Sequence, residues 1–469
     1  MAYSRLRGLA LALVVGGLAP LLNTTVVNLG LHALQAEFHV SVSTVQWIST
    51  AYLLALGCVV PVMAWGQARF GSKPLWIVAL VIFLVGSAAC ALSPSFGFLI
   101  AARVVQGVGG GLILPLMMSI VMRAADGREL ARLAFDVALS TAAAPVIGPL
   151  LGGFVLEQLG WRSIFVVTIP FCLAGVVLAV TLMPRDTGAE SPPRFDLVGF
   201  LLLAPAFVGL LLALSNTHRL YGFPIVDVLL PLLGGVLLLA AFVVWARRRR
   251  DDALVDVRLF ERRGFVPATV SMFFIGVAMF GVVFLLPLFW QKVVGHDPFI
   301  AGLLLIPQAV GSLCARPATI ALSRRWGGGR MVILGFAVLV LGTVPLGFSS
   351  ATTSEWVLVG VLFVRGLGLG TVLMPAMAVA YVGMDERDVP HATVIMRMAQ
   401  QIGGAFGTAV LAVVLGNAAT ATLAMFDRAF WWATGLAMAG LLASLFLPRA
   451  AVDGLNIAPP ASTGDRESA

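Results

Sequence analysis

The composition of this chain excludes an ordinary soluble protein. Of its 469 residues, 60% are hydrophobic and only 11% are charged, whereas about a quarter of the residues in a typical soluble domain are charged. The formal net charge of +8 would suit a nucleic-acid partner, but the basic residues lie in short segments between apolar runs, a pattern that sets the orientation of membrane proteins. The sequence predicts an integral membrane protein with no nucleic-acid partner.

Apolar runs of about 20 residues, long enough to cross a bilayer as helices, recur along the whole chain. The first six runs cover residues 8–30, 45–66, 75–93, 97–122, 132–156 and 162–183. Two more runs cover 197–215 and 224–246, and a second set of six covers 265–290, 299–321, 330–350, 354–380, 391–416 and 428–448. We therefore expect an all-α integral membrane protein with about fourteen membrane helices.

Polar segments between these runs predict the domain boundaries. The segment 185–196 contains two prolines, and the segment 247–263 is rich in arginine, so both are typical of connections outside the membrane. The predicted units are an N-terminal six-helix bundle, a linker with two inserted helices and a basic cytoplasmic loop, a C-terminal six-helix bundle and a disordered cytoplasmic tail: 1–184, 185–263, 264–449 and 450–469. The arginine-rich loops fall on one side if both termini are cytoplasmic, as the positive-inside rule requires.

A weak internal repeat relates the two predicted bundles. The segments Phe98–Pro115 and Val357–Pro375 share an arginine followed by spaced glycines and a proline. Two parallel halves of this kind form a binding site near the middle of the membrane in many transporters. The repeat therefore favours two similar six-helix bundles with a binding site between them.

Polar side chains at membrane depth mark candidate positions of a substrate or proton pathway. A charged side chain there costs at least a few kcal/mol unless it faces a cavity or a partner. In the first half we select residues of the first, second, fourth and fifth spans: Asn23, Thr24, Asn28, Tyr52, Arg103, Gln106 and Asp136. For Arg103, a structural link to another helix remains an alternative, and Asp136 could either carry protons or reach the membrane interface.

The second half offers fewer polar residues at this depth. Gln308 lies in the tenth span, and Arg397 and Gln400 lie in the thirteenth. We include all three in the predicted pathway because long polar side chains inside a span usually face the interior of the bundle.

The fifth span combines prolines with glycines. Its residues Pro145, Gly148, Pro149, Gly152 and Gly153 allow a helix to bend and a neighbouring backbone to approach closely. The segment is typical either of tight packing or of a transporter hinge.

Several of these segments resemble motifs of one family. The segment Gly148–Pro170, GPLLGGFVLEQLGWRSIFVVTIP, resembles the fifth-helix antiporter signature of the major facilitator superfamily, in its fourteen-helix drug:proton antiporter branch (EmrB/QacA type). The segment RVVQGVGG, which begins at Arg103, resembles the fourth-helix motif, whose arginine is implicated in proton or substrate handling. The segment MAWGQARFGSKPLW resembles the gating loop between the second and third helices and contributes Gly66, Arg69, Gly71 and Lys73.

Two departures from the family pattern concern acidic residues. Asn23 stands where the branch usually has an aspartate, and Ala68 stands where the gating loop usually has an acidic residue. Asparagine forms hydrogen bonds but cannot carry a proton. Because of these departures, the sequence decides neither whether transport is coupled to protons nor whether an ion pair holds the gate shut.

The resemblance implies a transporter and not an enzyme. It implies a protein of the cytoplasmic membrane that exports small molecules by alternating access, driven by proton influx. We expect a monomer in contact with membrane lipid, without a cofactor or a metal. An uncoupled facilitator or a non-transporting sensor on the same fold remains the alternative. No GxxxxGK[ST] phosphate loop occurs, so we do not expect ATP to drive transport within this chain.

Overall fold

The computed structural model describes residues 3–124, 144, 146–184, 194–216, 226–249, 253–350, 352–384, 388–416 and 423–448. All regular secondary structure in these ranges is helical. Two predicted site residues, Asp136 and Pro145, and the predicted tail at 450–469 lie outside the described residues.

In its described residues, the first half contains six long or medium helices and three short ones. They are α1 (Tyr3–Leu29), α2 (Leu31–Phe38), α3 (Val42–Val45), α4 (Trp47–Phe70), α5 (Ser72–Ala91), α6 (Phe96–Ala124), α7 (Val146–Leu159), α8 (Ser163–Val166) and α9 (Ile169–Leu182). The long helices α1, α4 and α6 each contain an internal proline, which membrane helices tolerate because neighbouring groups satisfy the freed carbonyl.

Two inserted helices follow, α10 (Leu197–Asn216) and α11 (Val226–Arg249). The buried carboxylate of Asp196 holds this hairpin together: Oδ1 accepts hydrogen bonds from Gly199 N (2.9 Å) and Trp245 Nε1 (2.9 Å), and Oδ2 accepts one from Leu254 N (3.0 Å). Three donors thus satisfy the acid at the start of α10 and fix α11 beside it.

The second half begins after a 3₁₀ turn at Val257–Glu261. It comprises α12 (Phe265–Phe289), a π-helical turn (Trp290–Val294), α13 (Pro298–Leu303), α14 (Ile306–Trp326), α15 (Gly328–Thr343), a 3₁₀ turn (Val344–Phe348), α16 (Glu355–Tyr381), α17 (Val389–Leu415) and α18 (Leu423–Ser444).

The membrane character of these helices agrees with the sequence prediction. Within the described ranges, twelve helical spans are long and apolar enough to cross a membrane. The shorter apolar helix α7 occupies the position of the fifth predicted span, and α18 occupies that of the last. The total of fourteen crossings stays a prediction.

The two halves are joined at the end of the bundle that carries α2, α3 and α13, which we call the α2–α13 end. There Gln291 Nε2 donates to Leu29 O (2.9 Å), and the hydroxyls of Thr50 and Thr408 lie 3.1 Å apart. An apolar core of both halves surrounds these bonds, with Leu29 and Phe289 fully buried. The halves are therefore closed against each other at this end.

Candidate substrate and proton pathway

Arg103 is the centre of a buried polar network in the first half. It lies in α6, and its side chain is 1% exposed. Its Nε donates to Ile48 O (2.8 Å), and its Nη1 donates to Asn23 Oδ1 (2.6 Å) and Gln106 Oε1 (2.5 Å). The guanidinium also lies 4.2 Å above the centroid of the Tyr52 ring. One side chain thus ties α1, α4 and α6 together.

The network continues from Gln106 toward α5 and α9. Gln106 Nε2 donates to Ser87 Oγ (2.7 Å), which also accepts from Thr168 Oγ1 (3.1 Å). All three side chains are fully buried. Five helices or helix ends of the first half therefore meet in one chain of hydrogen bonds.

The acceptors around Arg103 are neutral. Carbonyl and amide oxygens and an aromatic face surround the cation, and the ion pairs found in the described residues do not include it. Neutral dipoles of this kind can hold a buried guanidinium in the absence of a carboxylate. In the same ranges, the Nδ2 of Asn23 and the hydroxyl of Tyr52 are buried without a hydrogen-bond partner. These two groups of the network can therefore each form a further hydrogen bond.

Asn28 and Thr24 form a second contact between α1 and α4. Asn28 Nδ2 donates to Thr24 O (2.8 Å), and Asn28 Oδ1 accepts from Ser49 Oγ (2.8 Å). The hydroxyl of Thr24 donates to Leu21 O (2.9 Å). The polar patch of the first span is therefore satisfied largely within α1 and by its neighbour.

Arg365 is the functional candidate that sequence reasoning missed. It lies in α16 and is fully buried. Its Nη1 donates to Gln308 Oε1 (2.5 Å), and its Nη2 donates to Ala278 O. It thus links α12, α14 and α16 as Arg103 links α1, α4 and α6. The internal repeat contained the signal, because it already paired the two arginine-containing segments.

Glycine contacts give the register of this repeat. A Cβ on Gly86 would lie 2.5 Å from Gln106 N, and one on Gly342 would lie 2.6 Å from Arg365 N. The same packing of α5 on α6 and of α15 on α16 therefore places Arg365 where the first half has Gln106. The second arginine stands almost one helical turn beyond the position of Arg103.

Arg397 and Gln400 form a third group, on α17. Arg397 Nη1 donates to Gln400 Oε1 (3.3 Å), and Arg397 is partly exposed. Gln401, one turn along the same face, contacts α4, where a Cβ on Gly57 would lie 3.1 Å from Gln401 Cβ. This face of α17 therefore lines the seam between the halves.

The loop between α4 and α5 is closed by a lysine. Gly71 adopts a positive φ of 86° at the junction, a conformation that favours glycine. Lys73 Nζ donates to Val180 O (2.9 Å) and Met183 O (2.8 Å) at the end of α9. A cation on the terminal carbonyls of a helix is favourable, so Lys73 attaches this loop to α9.

The other two loop residues differ in their surroundings. Arg69 is exposed. Gly66 is buried, and a Cβ there would lie 3.2 Å from Leu75 Cδ1. Gly66 therefore permits close packing of α4 on α5.

The glycines of α7 face two different partners. A Cβ on Gly148 would lie 2.2 Å from Thr25 Oγ1, and one on Gly152 would lie 2.9 Å from Val26 Cγ1, both in α1 of the same half. The next glycine, Gly153, faces α13 of the other half, where its Cβ would lie 2.7 Å from Phe299 Cα.

Pro149 adds a second close approach between the halves. A Cβ on Gly302 of α13 would lie 2.3 Å from Pro149 O. Helix α7 thus packs within its own half through Gly148 and Gly152, and across the seam through Pro149 and Gly153.

A bundle of membrane-spanning helices in two repeated halves, with a polar network in each and a seam between them, defines a membrane transport protein and not an enzyme. The chain matches the Major Facilitator Superfamily over residues 13–408. It is a multi-pass membrane protein that belongs to this superfamily.

Proteins similar in sequence have names that refer to drug resistance. The chain is 33% identical over 395 residues to the "Multidrug resistance protein B homolog" of Mycobacterium tuberculosis (strain ATCC 25618 / H37Rv), which covers 84% of this chain and 73% of that protein. It is 30% identical over 464 residues to the "Lincomycin resistance protein LmrB" of Bacillus subtilis (strain 168), covering 94% and 96%.

A solved structure supports the fold independently. The crystal structure of a D-xylose-proton symporter is similar with a TM-score of 0.69 and covers 96% of this chain and 99% of that one. At 17% sequence identity, this likeness concerns the fold alone.

Proposed function

We propose that this protein exports small-molecule drugs or metabolites from the cell by alternating access, in exchange for protons. The superfamily makes it a secondary transporter, and the names of its relatives refer to multidrug and lincomycin resistance. The observation that carries the proposal is the closure of the halves at the α2–α13 end, because a seam sealed at one end is one of the two states that alternating access requires.

The proposed pathway runs along the seam and the two buried networks. Arg397 lies one turn from the seam residue Gln401 and donates to Gln400. Asn23, Tyr52, Arg103 and Gln106 form the network of the first half, and Gln308 joins Arg365 in the second. Asp136 remains the proposed carboxylate of the first half. The proposed units are the bundles 1–184 and 264–449, joined by the linker 185–263.

Proton coupling can be tested with a protonophore. One proton that crosses a potential of 100 mV supplies about 2.3 kcal/mol, enough for a roughly fiftyfold gradient of an uncharged solute. We expect cells that lack their own efflux pumps to accumulate less radiolabelled lincomycin, or less ethidium, when they express the protein. The protonophore should remove this difference.

The two alternatives give different results in the same assay. An uncoupled facilitator would speed equilibration of the probes in both directions, and the protonophore would leave the rates unchanged. A non-transporting sensor would change neither accumulation nor rate. Either result would contradict proton-driven export.

We further propose a cytoplasmic-membrane location with both termini in the cytoplasm and a monomeric protein. The arginine-rich end of α11 is then cytoplasmic, and the α2–α13 end faces outward. In a background without native cysteines, Arg248→Cys should be protected from an impermeant thiol reagent in intact cells. Ser95→Cys, in the turn between α5 and α6, should react. The opposite labelling would contradict the orientation.

A further inference from the structure

The inserted helices border an apolar cavity whose lining contains none of the polar residues of the proposed transport pathway. Its volume is about 790 Å³, and it lies between α10 and α11 on one side and α12 and α17 on the other. Phe207, Phe242, Phe273 and Ile402 are among its lining residues. The polar exception in this lining is Thr269, whose hydroxyl already donates to Phe265 O (2.9 Å).

This cavity borders the bilayer through α10 and α11. Only 28% of the membrane span in α10 and 11% of that in α11 is buried within the protein, so hydrocarbon surrounds most of both helices. On α17 the cavity is lined by Ile395, Met398 and Ile402, and a Cβ on Gly57 of α4 would lie 3.8 Å from Ile402 Cγ1 and 4.0 Å from Met398 O. The cavity therefore adjoins the seam beside α4, but Arg397, Gln400 and Gln401 are not among its lining residues.

An apolar space of this size inside a membrane takes up hydrocarbon. Apolar cavities exclude water because they offer it no hydrogen bonds, and an empty space forfeits the dispersion contacts of its lining. The nearest source of flexible apolar chains is the bilayer that surrounds α10 and α11. A drug that must be oriented by polar contacts gains little here, because the lining offers it a single hydroxyl, which is already bonded.

One end of the cavity lies beside a strongly basic segment. Its lining includes Val255, Val257 and Phe260, and on α11 it includes Val243, one turn before the arginine run. The segment 247–263 contains seven arginines and four acidic residues. Its charge therefore stays positive even if every acid is paired, which complements an anionic head group.

Part of this charge is already engaged. Arg258 is bound to Asp256 (2.8 Å) and Arg262 to Asp388 (2.7 Å), while Arg247 lies 3.9 Å from Glu261 with both side chains largely exposed. Such an exposed pair contributes little and opens easily.

We propose that this cavity is a binding site for an anionic glycerophospholipid of the membrane. Its acyl chains fill the space between α10, α11, α12 and α17, and its phosphate lies against the described arginines beside one end of the cavity, at positions 247–249, 258, 262 and 263. The site holds the inserted hairpin against the second half. The proposal does not depend on what the protein transports.

The test uses the full-length protein in detergent and native mass spectrometry. The protein is titrated with phosphatidylglycerol and, separately, with phosphatidylcholine that has the same acyl chains. We expect retention of phosphatidylglycerol at concentrations where phosphatidylcholine is lost. Equal retention of the two lipids would overturn the assignment of an anionic head group.

Two sets of variants test the two parts of the site. Ala399→Phe and Ala213→Phe each place a ring in the cavity and should reduce lipid retention, while Ala174→Phe on the exposed face of α9 should not. Arg248→Gln combined with Arg263→Gln should weaken phosphatidylglycerol binding about twenty-five-fold, from roughly fivefold per arginine. The matched control is Arg69→Gln with Arg325→Gln, which removes two exposed arginines elsewhere.

Unchanged binding in both filled variants would overturn the cavity as the site. If those variants do not fold, the site can be tested by photolabelling the unaltered protein. Phosphatidylglycerol with a photoreactive acyl chain should label peptides of α10, α11 and α17. Labelling confined to other helices would overturn the proposal. So would displacement of the lipid by lincomycin or ethidium, which would make the cavity a solute site.

Discussion

Replacement of Arg103 by alanine should abolish transport while the protein still inserts into the membrane. The side chain forms hydrogen bonds to α1, α4 and α6, and hydrogen bonds of charged groups contribute about 1.5–3 kcal/mol each. Its removal leaves the buried oxygens of Asn23 and Ile48 without this donor. We expect normal amounts of protein in the membrane but no efflux of lincomycin or ethidium.

Companion variants separate a functional role of Arg103 from simple packing. Arg428 lies in α18, is exposed, and donates to Val414 O. Arg428→Ala is therefore the matched control and should keep transport. The single variant Asn23→Asp should fold, because it keeps an acceptor oxygen 2.6 Å from Arg103. In the double variant with Arg103→Ala, it should not restore transport, because the carboxylate would be buried without a cation. Normal efflux by Arg103→Ala would show that the network is passive packing.

Replacement of Gly153 by leucine should stop transport by a different route, because it prevents closure of the α2–α13 end. A side chain at this position meets the backbone of Phe299 at 2.7 Å and the carbonyl oxygen of Pro298 at 2.8 Å. Backbone in a packed helix end cannot move aside as a flexible side chain can. We therefore expect the halves to stay apart at this end, with efflux lost.

Thiol labelling can show this altered state directly. Thr408→Cys lies in the closed seam and should react slowly with an impermeant reagent in the otherwise unaltered protein and quickly when Gly153→Leu is present. Gly234→Leu is the control, because a Cβ on Gly234 meets nothing within 4 Å. Gly148→Leu should also lose transport, but through a clash with Thr25 inside the first half. Efflux and labelling unchanged by Gly153→Leu would contradict the closure role.

The sequence by itself determined the class of this protein and the positions of most of its spans. Hydrophobicity over about 20 residues is a local property, and in a bilayer it is enough to specify a helix because every backbone group must be bonded within the segment. The motifs around Arg103 and Gly148 were equally local, so the superfamily could be identified from them and is confirmed by the match over residues 13–408.

Only the tertiary structure decided which polar groups meet. Arg103 is bound to Asn23 and Gln106, Gln308 to Arg365, and Lys73 to the end of α9. These pairs depend on how each helix is rotated and shifted along its neighbours, and a periodic apolar sequence leaves both free.

The same reason explains the register of the repeat and the two directions of the α7 glycines. The two segments share an arginine, but packing against α15 places Arg365 at the position of Gln106 and not at that of Arg103. Gly152 and Gly153 are neighbours in sequence, yet one contacts α1 and the other contacts α13 across the seam. A helix turns by about 100° per residue, so adjacent residues face different partners, and which partner stands there is set by the assembly of the bundle.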